Sequence, residues 1–307
     1  MILGPSPLFS SESSRGKSVC VVTLVINGIL SALKLFFGII ASSPALIADG
    51  FHSLSDACSD VLVFIAFIWS RKPRDAGHPY GHGKIETFLA SILGMILIVI
   101  GFFLAKNGWG HIATPSPYLF GAITIPVAAS SIVIKEVLYH YNMHMSRVLR
   151  SPALYANAWH HRSDALSSIV VLAGVVGAHY GLPFFDPLAA IIVAMIIAVT
   201  GVAILVKTGK ELIETSVDSA TIDALKNIAE SHDLVQSSHQ IFARNVGINM
   251  AVELHIVVAP KLSVREAHTV ANNIEDAIRE KFPHAHNILI HIDPYNDENE
   301  DLVKENF

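Results

Sequence analysis

Six long apolar runs fill the first two-thirds of the chain, at about residues 18–41, 44–70, 86–107, 117–141, 153–178 and 184–207. Each approaches or exceeds the roughly 20 residues that a helix needs to cross a bilayer. Only Ser42-Ser43-Pro44 separates the first two, which predicts a tight hairpin. Gly, Ala and Ser recur inside several runs and let helices approach closely in lipid. After about Thr215 the pattern shortens. Residues 219–232 read as an amphipathic helix and 235–243 as a strand. Residues 247–258 alternate as a strand does, with Val252, Leu254 and Ile256 on one face and Glu253, His255 and Val257 on the other. Ser263 and Glu266 have capping-box spacing and open a helix that runs to about Phe282. Residues 287–292 give a last strand.

This pattern predicts a polytopic α-helical membrane protein with six transmembrane helices and a C-terminal cytoplasmic α+β domain of order αββαβ. The expected divisions are a loose Ser/Pro-rich tail (1–16), a membrane domain (17–214), the α+β domain (215–295) and an acidic tail (296–307). A soluble domain this small is marginal alone, so dimerisation or metal binding would help it.

Composition agrees with a lipid environment. Charged residues make up 15% and hydrophobic residues 52%, against roughly 25% charged in soluble domains. The net charge of −5 argues against nucleic acid as a partner. Cys20 and Cys58 both lie in apolar runs and read as small buried hydrophobes. Arg15 and Lys17 precede a run too long for a signal peptide, so that run is expected to remain as a membrane helix. Basic residues collect on one side: Arg15 and Lys17, Arg71, Lys72, Arg74 and Lys84, Arg147 and Arg150, Lys207 and Lys210. The positive-inside rule then places both termini in the cytoplasm.

Within these apolar runs two similar polar motifs stand out. His52-Ser53-Leu54-Ser55-Asp56-Ala57 lies in the second, and His160-His161-Arg162-Ser163-Asp164-Ala165 in the fifth. His and Asp four apart share a helix face. Asp56 lies about 12 residues from the outer end of its helix and Asp164 about 11 from the inner end of its own, so both fall ~17 Å into the membrane. Ionisable residues at that depth are costly and usually functional. Two imidazoles and two carboxylates make a tetrahedral site suited to zinc or another late divalent ion. Metal loading balances the carboxylates. Without metal, bare carboxylates in low dielectric are disfavoured, and protons must take its place. The expectation is a proton–metal antiporter. Asp49 and Asp60 extend the same face and are candidates for an ion path. Lys135 and Glu136 read as residues reaching for the inner interface. A membrane metalloenzyme or a membrane metal sensor are the rival readings. No His-Glu-x-x-His helix or Gly-x-Ser-x-Gly elbow supports the enzyme.

These residues resemble the cation diffusion facilitator family over nearly the whole chain. The resemblance rests on Ala48 to Asp56, on His78-Pro-Tyr-Gly-His-Gly-Lys84, and on Trp159 to Ala165. It implies export of divalent cations, usually zinc, in exchange for protons, by a homodimer whose cytoplasmic domains have a metallochaperone-like (ferredoxin-like) fold. By position it implies His52, Asp56, His160 and Asp164 as transport ligands. Some zinc- and iron-transporting relatives have Asp at the position of His52, and manganese exporters tend to have Asp at the first motif positions, so two histidines there lean modestly toward zinc, with cadmium, cobalt, iron and manganese as alternatives. It implies a second cation site at Asp75, His78 and His82 in the loop after the second helix. It also implies a charge interlock at Lys84, with Glu214 as partner. A two-metal site in the C-terminal domain would use His239, His255, His268, His291 and a bridging Asp293. Zinc is then both cargo and regulator, protons are the counter-ion, and the setting is the lipid bilayer of a bacterial inner membrane.

Overall fold

The computed structural model describes residues 7–70, 72, 75–114, 121–148, 152–247 and 249–295. Six long helices come first: α1 (Pro7–Ala41), α2 (Pro44–Ser70), α3 (Lys84–Ala113), α4 (Gly121–Val148), α5 (Pro152–His179) and α6 (Phe185–Leu212). Then follow α7 (Ser219–Glu230), β1 (Val235–Val246), β2 (Asn249–Val258), α8 (Val264–Lys281) and β3 (Ala285–Pro294). The α-β-β-α-β order is the expected one. The start of the chain differs: residues 7–16 continue α1 instead of forming a tail. Pro7 sits at the first helical position, where its missing N–H costs nothing.

Among the described residues, four helical stretches are apolar and long enough to cross a membrane: Val21–Ala41 of α1, all of α3, Ile123–Val148 of α4 and all of α6. The polar first half of α5, with Asn157, His160, His161, Arg162 and Asp164, keeps its hydropathy low.

The chain divides into two compact units. One comprises residues 1–64 and 92–204, the other 65–91 and 205–307. In the first unit, α1 and α2 form the predicted hairpin. Ser42 takes a left-handed φ of 52°, and the Ser43 N–H closes the end of α1 by donating to the Gly38 carbonyl at 2.9 Å. The following N-terminus of α2 is capped from a distance. Asp186 of α6 accepts from Ser43 Oγ at 2.7 Å and from the Ala45 N–H at 3.4 Å. Small residues set the helix spacing. A Cβ on Gly38 would lie 2.9 Å from the Ile47 nitrogen, and one on Gly101 would lie 2.8 Å from the Ala194 carbonyl. The core includes Leu46, Leu93, Val171, Val193 and Ile197.

In the second unit the sheet order is β1-β2-β3, with β1 antiparallel and β3 parallel to β2. The parallel pair needs a crossover, which α8 supplies. Asp218 caps α7, and Ser263 with Glu266 forms the capping box of α8. Leu225 of α7 and Ile274 and Ile278 of α8 pack with Leu254 and Ile256 of β2.

Candidate metal centres

The two His-x-x-x-Asp motifs meet. Donor atoms of His52, Asp56 and Asp164 all lie within 4.8 Å of one another. His52 Nε2 is 3.8 Å from Asp164 Oδ1, and His160 Nε2 is 3.7 Å from Asp56 Oδ1 and 3.8 Å from Asp164 Oδ2. Bonds of ~2.1 Å imply a tetrahedral edge of about 3.4 Å, so these spacings are slightly wider than a bound zinc would draw them. His160 is half exposed, whereas Asp56 is 15% and Asp164 5% exposed. Asp56 Oδ2 is buried with no hydrogen-bond partner. An unsatisfied buried carboxylate oxygen is costly unless a cation or proton joins it. A cavity of about 210 Å³ opens beside His52, Asp56 and His160, against Leu97 and Ile197. It has room for several waters at roughly 30 Å³ each.

Lys135 corrects the sequence reading. It is fully buried, and its Nζ lies 2.6 Å from Asp164 Oδ2. Taking the fourth apolar run to end near 141 had placed it close to the interface. In the structure α4 continues to Val148, so position 135 falls mid-helix. The metal-free site therefore does not hold two bare carboxylates: Asp164 already faces an ammonium.

Asp49, a candidate for an ion path, is 1% exposed and paired with Lys34 of α1 at 2.8 Å. Ser53 accepts from Lys34 at 3.0 Å, and Ser168 donates to Asp49 at 3.3 Å. Ser53 and Ser168 each lie within one helical turn of a His-x-x-x-Asp residue, so this polar layer adjoins the candidate metal site. The side chain of Asp60 lies outside the described residues. His161, left without a role by the sequence, is buried and neither ring nitrogen has a hydrogen-bond partner. Arg162 donates to the Tyr139 hydroxyl at 3.1 Å and stacks over that ring.

The loop residues also gather. Asp75 Oδ1 is 3.0 Å from His78 Nδ1, and Asp75 Oδ2 is 3.4 Å from His82 Nε2. Asp75 is held in place by accepting the Gly77 and His78 backbone N–H groups. Hydrogen bonding from His78 lowers its pKa from the ordinary 3.8. His82 Nδ1 lies 3.3 Å from the Lys72 carbonyl, an acceptor only, so Nδ1 carries the proton. Its Nε2, 3.4 Å from Asp75 Oδ2, is then the nitrogen placed to hold a cation together with that carboxylate.

In the sheet, register puts three histidines in one rank: His239 pairs with His255, and His255 with His291. Asp293, two residues beyond His291, shares its face. Its Oδ2 is 3.0 Å from His255 Nδ1 and 3.6 Å from His239 Nε2, while Oδ1 is 3.3 Å from His291 Nε2. Using both oxygens in this way suits a bridging carboxylate. A bulge directly after His239, with Gln240 at φ 47°, re-aims the strand there. Burial lowers the pKa of His239 from the ordinary 6.5. His268 does not join this cluster. It lies on α8, with its Nε2 3.4 Å from Asn272 Nδ2, because α8 crosses between the strands and does not continue their rank.

Lys84 Nζ lies 2.7 Å from Glu214 Oε1, and Arg244, 3.6 Å from the same oxygen, continues the chain to Glu253 at 2.8 Å. Lys84 lowers the pKa of Glu214 by hydrogen bonding, with Arg244 adding its charge.

Known proteins match this chain along most of its length. The family model for a cation efflux transmembrane domain matches residues 20–213, and that for a cation efflux protein cytoplasmic domain matches 217–295. An uncharacterized transporter of Methanocaldococcus jannaschii is 33% identical, with 89% of this chain and 96% of the relative covered. The manganese efflux system protein MneP of Bacillus subtilis is 30% identical, with 94% and 99% covered. The magnetosome protein MamB of a Magnetospira species is 34% identical, with 85% and 89% covered. A nickel form of a MamM C-terminal domain variant, 20% identical, aligns with 26% of this chain and 100% of its own at a TM-score of 0.25. The enzyme reading is thereby set aside, since these families carry ions and do not transform substrates. The chain belongs to the cation diffusion facilitator family of divalent-metal efflux transporters.

Proposed function

We propose that this transporter exports zinc from the cytoplasm in exchange for protons, through His52, Asp56, His160 and Asp164. The observation that carries the reading is Asp56: a buried carboxylate oxygen without a hydrogen-bond partner, within 4.8 Å of donors from His52 and Asp164. Two nitrogens and two oxygens suit zinc's tetrahedral preference better than the oxygen-rich octahedron that manganese takes. That favours zinc although one relative is named for manganese efflux. With the dication gone, Lys135 balances Asp164, and a proton in the site takes the remaining place beside Asp56. Metal and proton therefore exclude each other, and alternating exposure of the site to the two sides turns that exclusion into exchange.

The reading extends to six membrane crossings, both termini in the cytoplasm, an inner-membrane setting and a homodimer joined through the C-terminal domain. The Asp75, His78 and His82 group and the His239, His255, His291 and Asp293 group bind regulatory zinc. The Lys84–Glu214 pair ties the start of α3 to the end of α6.

Zinc and proton flux in proteoliposomes under an imposed pH gradient tests the transport reading. Gradient-driven zinc movement that vanishes in Asp56→Ala and His52→Ala is the expected result. Gradient-driven flux unaffected by those substitutions would move the pathway elsewhere. Metal binding without flux would favour a sensor.

A further inference from the structure

We propose that Lys135 sets the metal preference of the transport site by restricting Asp164 to a single donor oxygen. This rests on the reading of His52, Asp56, His160 and Asp164 as the ligands. The two carboxylates are not equivalent. Asp56 Oδ2 has no hydrogen-bond partner, so Asp56 is free to bind through one oxygen or two. Asp164 Oδ2, 3.8 Å from His160 Nε2, accepts from the Lys135 ammonium at 2.6 Å, while Oδ1 lies 3.8 Å from His52 Nε2. An oxygen already accepting a charge-assisted hydrogen bond is a weaker donor to a second cation.

Lys135 cannot easily move away. It is fully buried on α4, which packs along α5. Leaving Asp164 would strand an ammonium in a low-dielectric interior. The neighbouring carboxylate, Asp49, is already paired with Lys34.

Coordination number follows from this arrangement. The protein offers two histidine nitrogens, one oxygen of Asp164, and one or two oxygens of Asp56, which makes four or five donors. Four satisfies zinc. A six-coordinate, oxygen-preferring ion such as manganese draws on carboxylates that chelate, and here one of the two is prevented from doing so. The ammonium also subtracts from the negative charge of the ligand set, on which hard ions depend most. Without Lys135 the same four side chains form a more negative site with two chelating carboxylates. Specificity thus comes from a repulsive and blocking group as much as from the ligands.

The test is the KM for zinc and for manganese in proteoliposomes, for wild type, Lys135→Met, Lys135→Gln and Lys135→Arg. In Lys135→Met the ratio of manganese KM to zinc KM should fall by about tenfold, equivalent to ~1.4 kcal/mol. Lys135→Arg, which keeps the charge and the donor, should hold the ratio near wild type. Lys135→Gln removes the charge in a similar volume and carries the same expectation should the methionine variant fail to fold. Equal weakening for both metals, with the ratio unchanged, would overturn the proposal and leave Lys135 a structural counter-ion. A wild type that prefers manganese would overturn the zinc reading separately. The direction of the Lys135→Met shift would still decide the role of the lysine.

Discussion

Lys34 on α1 and Asp49 on α2 form a 2.8 Å ion pair in which each side chain is 1% exposed. Ser53 and Ser168 complete its hydrogen bonding. Among the described residues the helical unit has a second buried lysine–aspartate pair, Lys135–Asp164. Removing one partner of a buried pair strands the other charge and costs about 3–5 kcal/mol, whereas replacing both with apolar residues is close to neutral. Asp49→Asn should therefore lower the thermal unfolding midpoint in detergent sharply. Lys34→Met combined with Asp49→Leu should recover most of the loss. Additive losses in the double variant would show that the pair is not a unit.

The two aspartates proposed as ligands should separate stability from transport. Asp56 has an unpartnered oxygen and no lysine against it, so Asp56→Asn removes a cargo ligand without stranding a charge. It should abolish zinc flux and leave the unfolding midpoint unchanged or raised. Asp164→Asn strands Lys135, so it should abolish flux and also destabilise by about 3 kcal/mol. The contrast is read by measuring both quantities on both variants. An Asp164→Asn variant as stable as Asp56→Asn would mean that Lys135 finds another partner.

Much of this was legible in the sequence because it depends on spacing within one element. The His52–Asp56 and His160–Asp164 pairs follow from the helical repeat, and Ser263 with Glu266 announced its own cap. The row of His239, His255 and His291 was grouped in the sequence only by the family resemblance, since spacing along the chain leaves them as separate strand residues. Their alignment depends on register, and the aim of His239 depends on a bulge that no local pattern marks. Lys34 and Lys135 were hidden for a different reason. A lysine in an apolar helix reads as reaching for the surface unless a neighbouring helix brings a carboxylate to it. That neighbour is 15 residues away for Lys34 and 29 for Lys135. His268 was included by its place in the family pattern, and in the structure it lies on α8, off the rank of strand residues.

The C-terminal cluster should give the protein a pH-dependent stability. Burial lowers the pKa of His239 from 6.5, so the unfolded chain binds a proton that the folded one resists. The contribution is complete above 6.5 and is lost as pH falls through 6.5 toward the lowered folded value. Added zinc should raise the unfolding midpoint at neutral pH and lose that effect across the same window, because its ligands must be deprotonated. His239→Phe should flatten the metal-free pH profile between 5 and 7, measured on the full chain without metal. An unchanged slope would assign the pH dependence to other groups.

Lys84 and Glu214 are each about half exposed, so their ion pair should add little to global stability. Its effect should be local. It joins the first residue of α3 to the turn after α6, where Glu214 holds a left-handed φ of 60°. Arg244 and Glu253 extend the charge row into the sheet. Lys84→Ala should leave the unfolding midpoint nearly unchanged but speed amide hydrogen exchange around residues 83–88 and 211–216. Lys84→Glu with Glu214→Lys should restore protection in part, because Arg244 then faces a lysine. Lys84 lowers the pKa of Glu214 below 4.5, so the pair contributes fully above 4.5 and fades as pH falls through the lowered value. Wild type in acid, or at high salt, should therefore exchange like Lys84→Ala. Protection unchanged by the substitution would mean that Glu211 alone holds this junction, through its 2.6 Å bond from the Gly247 N–H and its contact with Thr87.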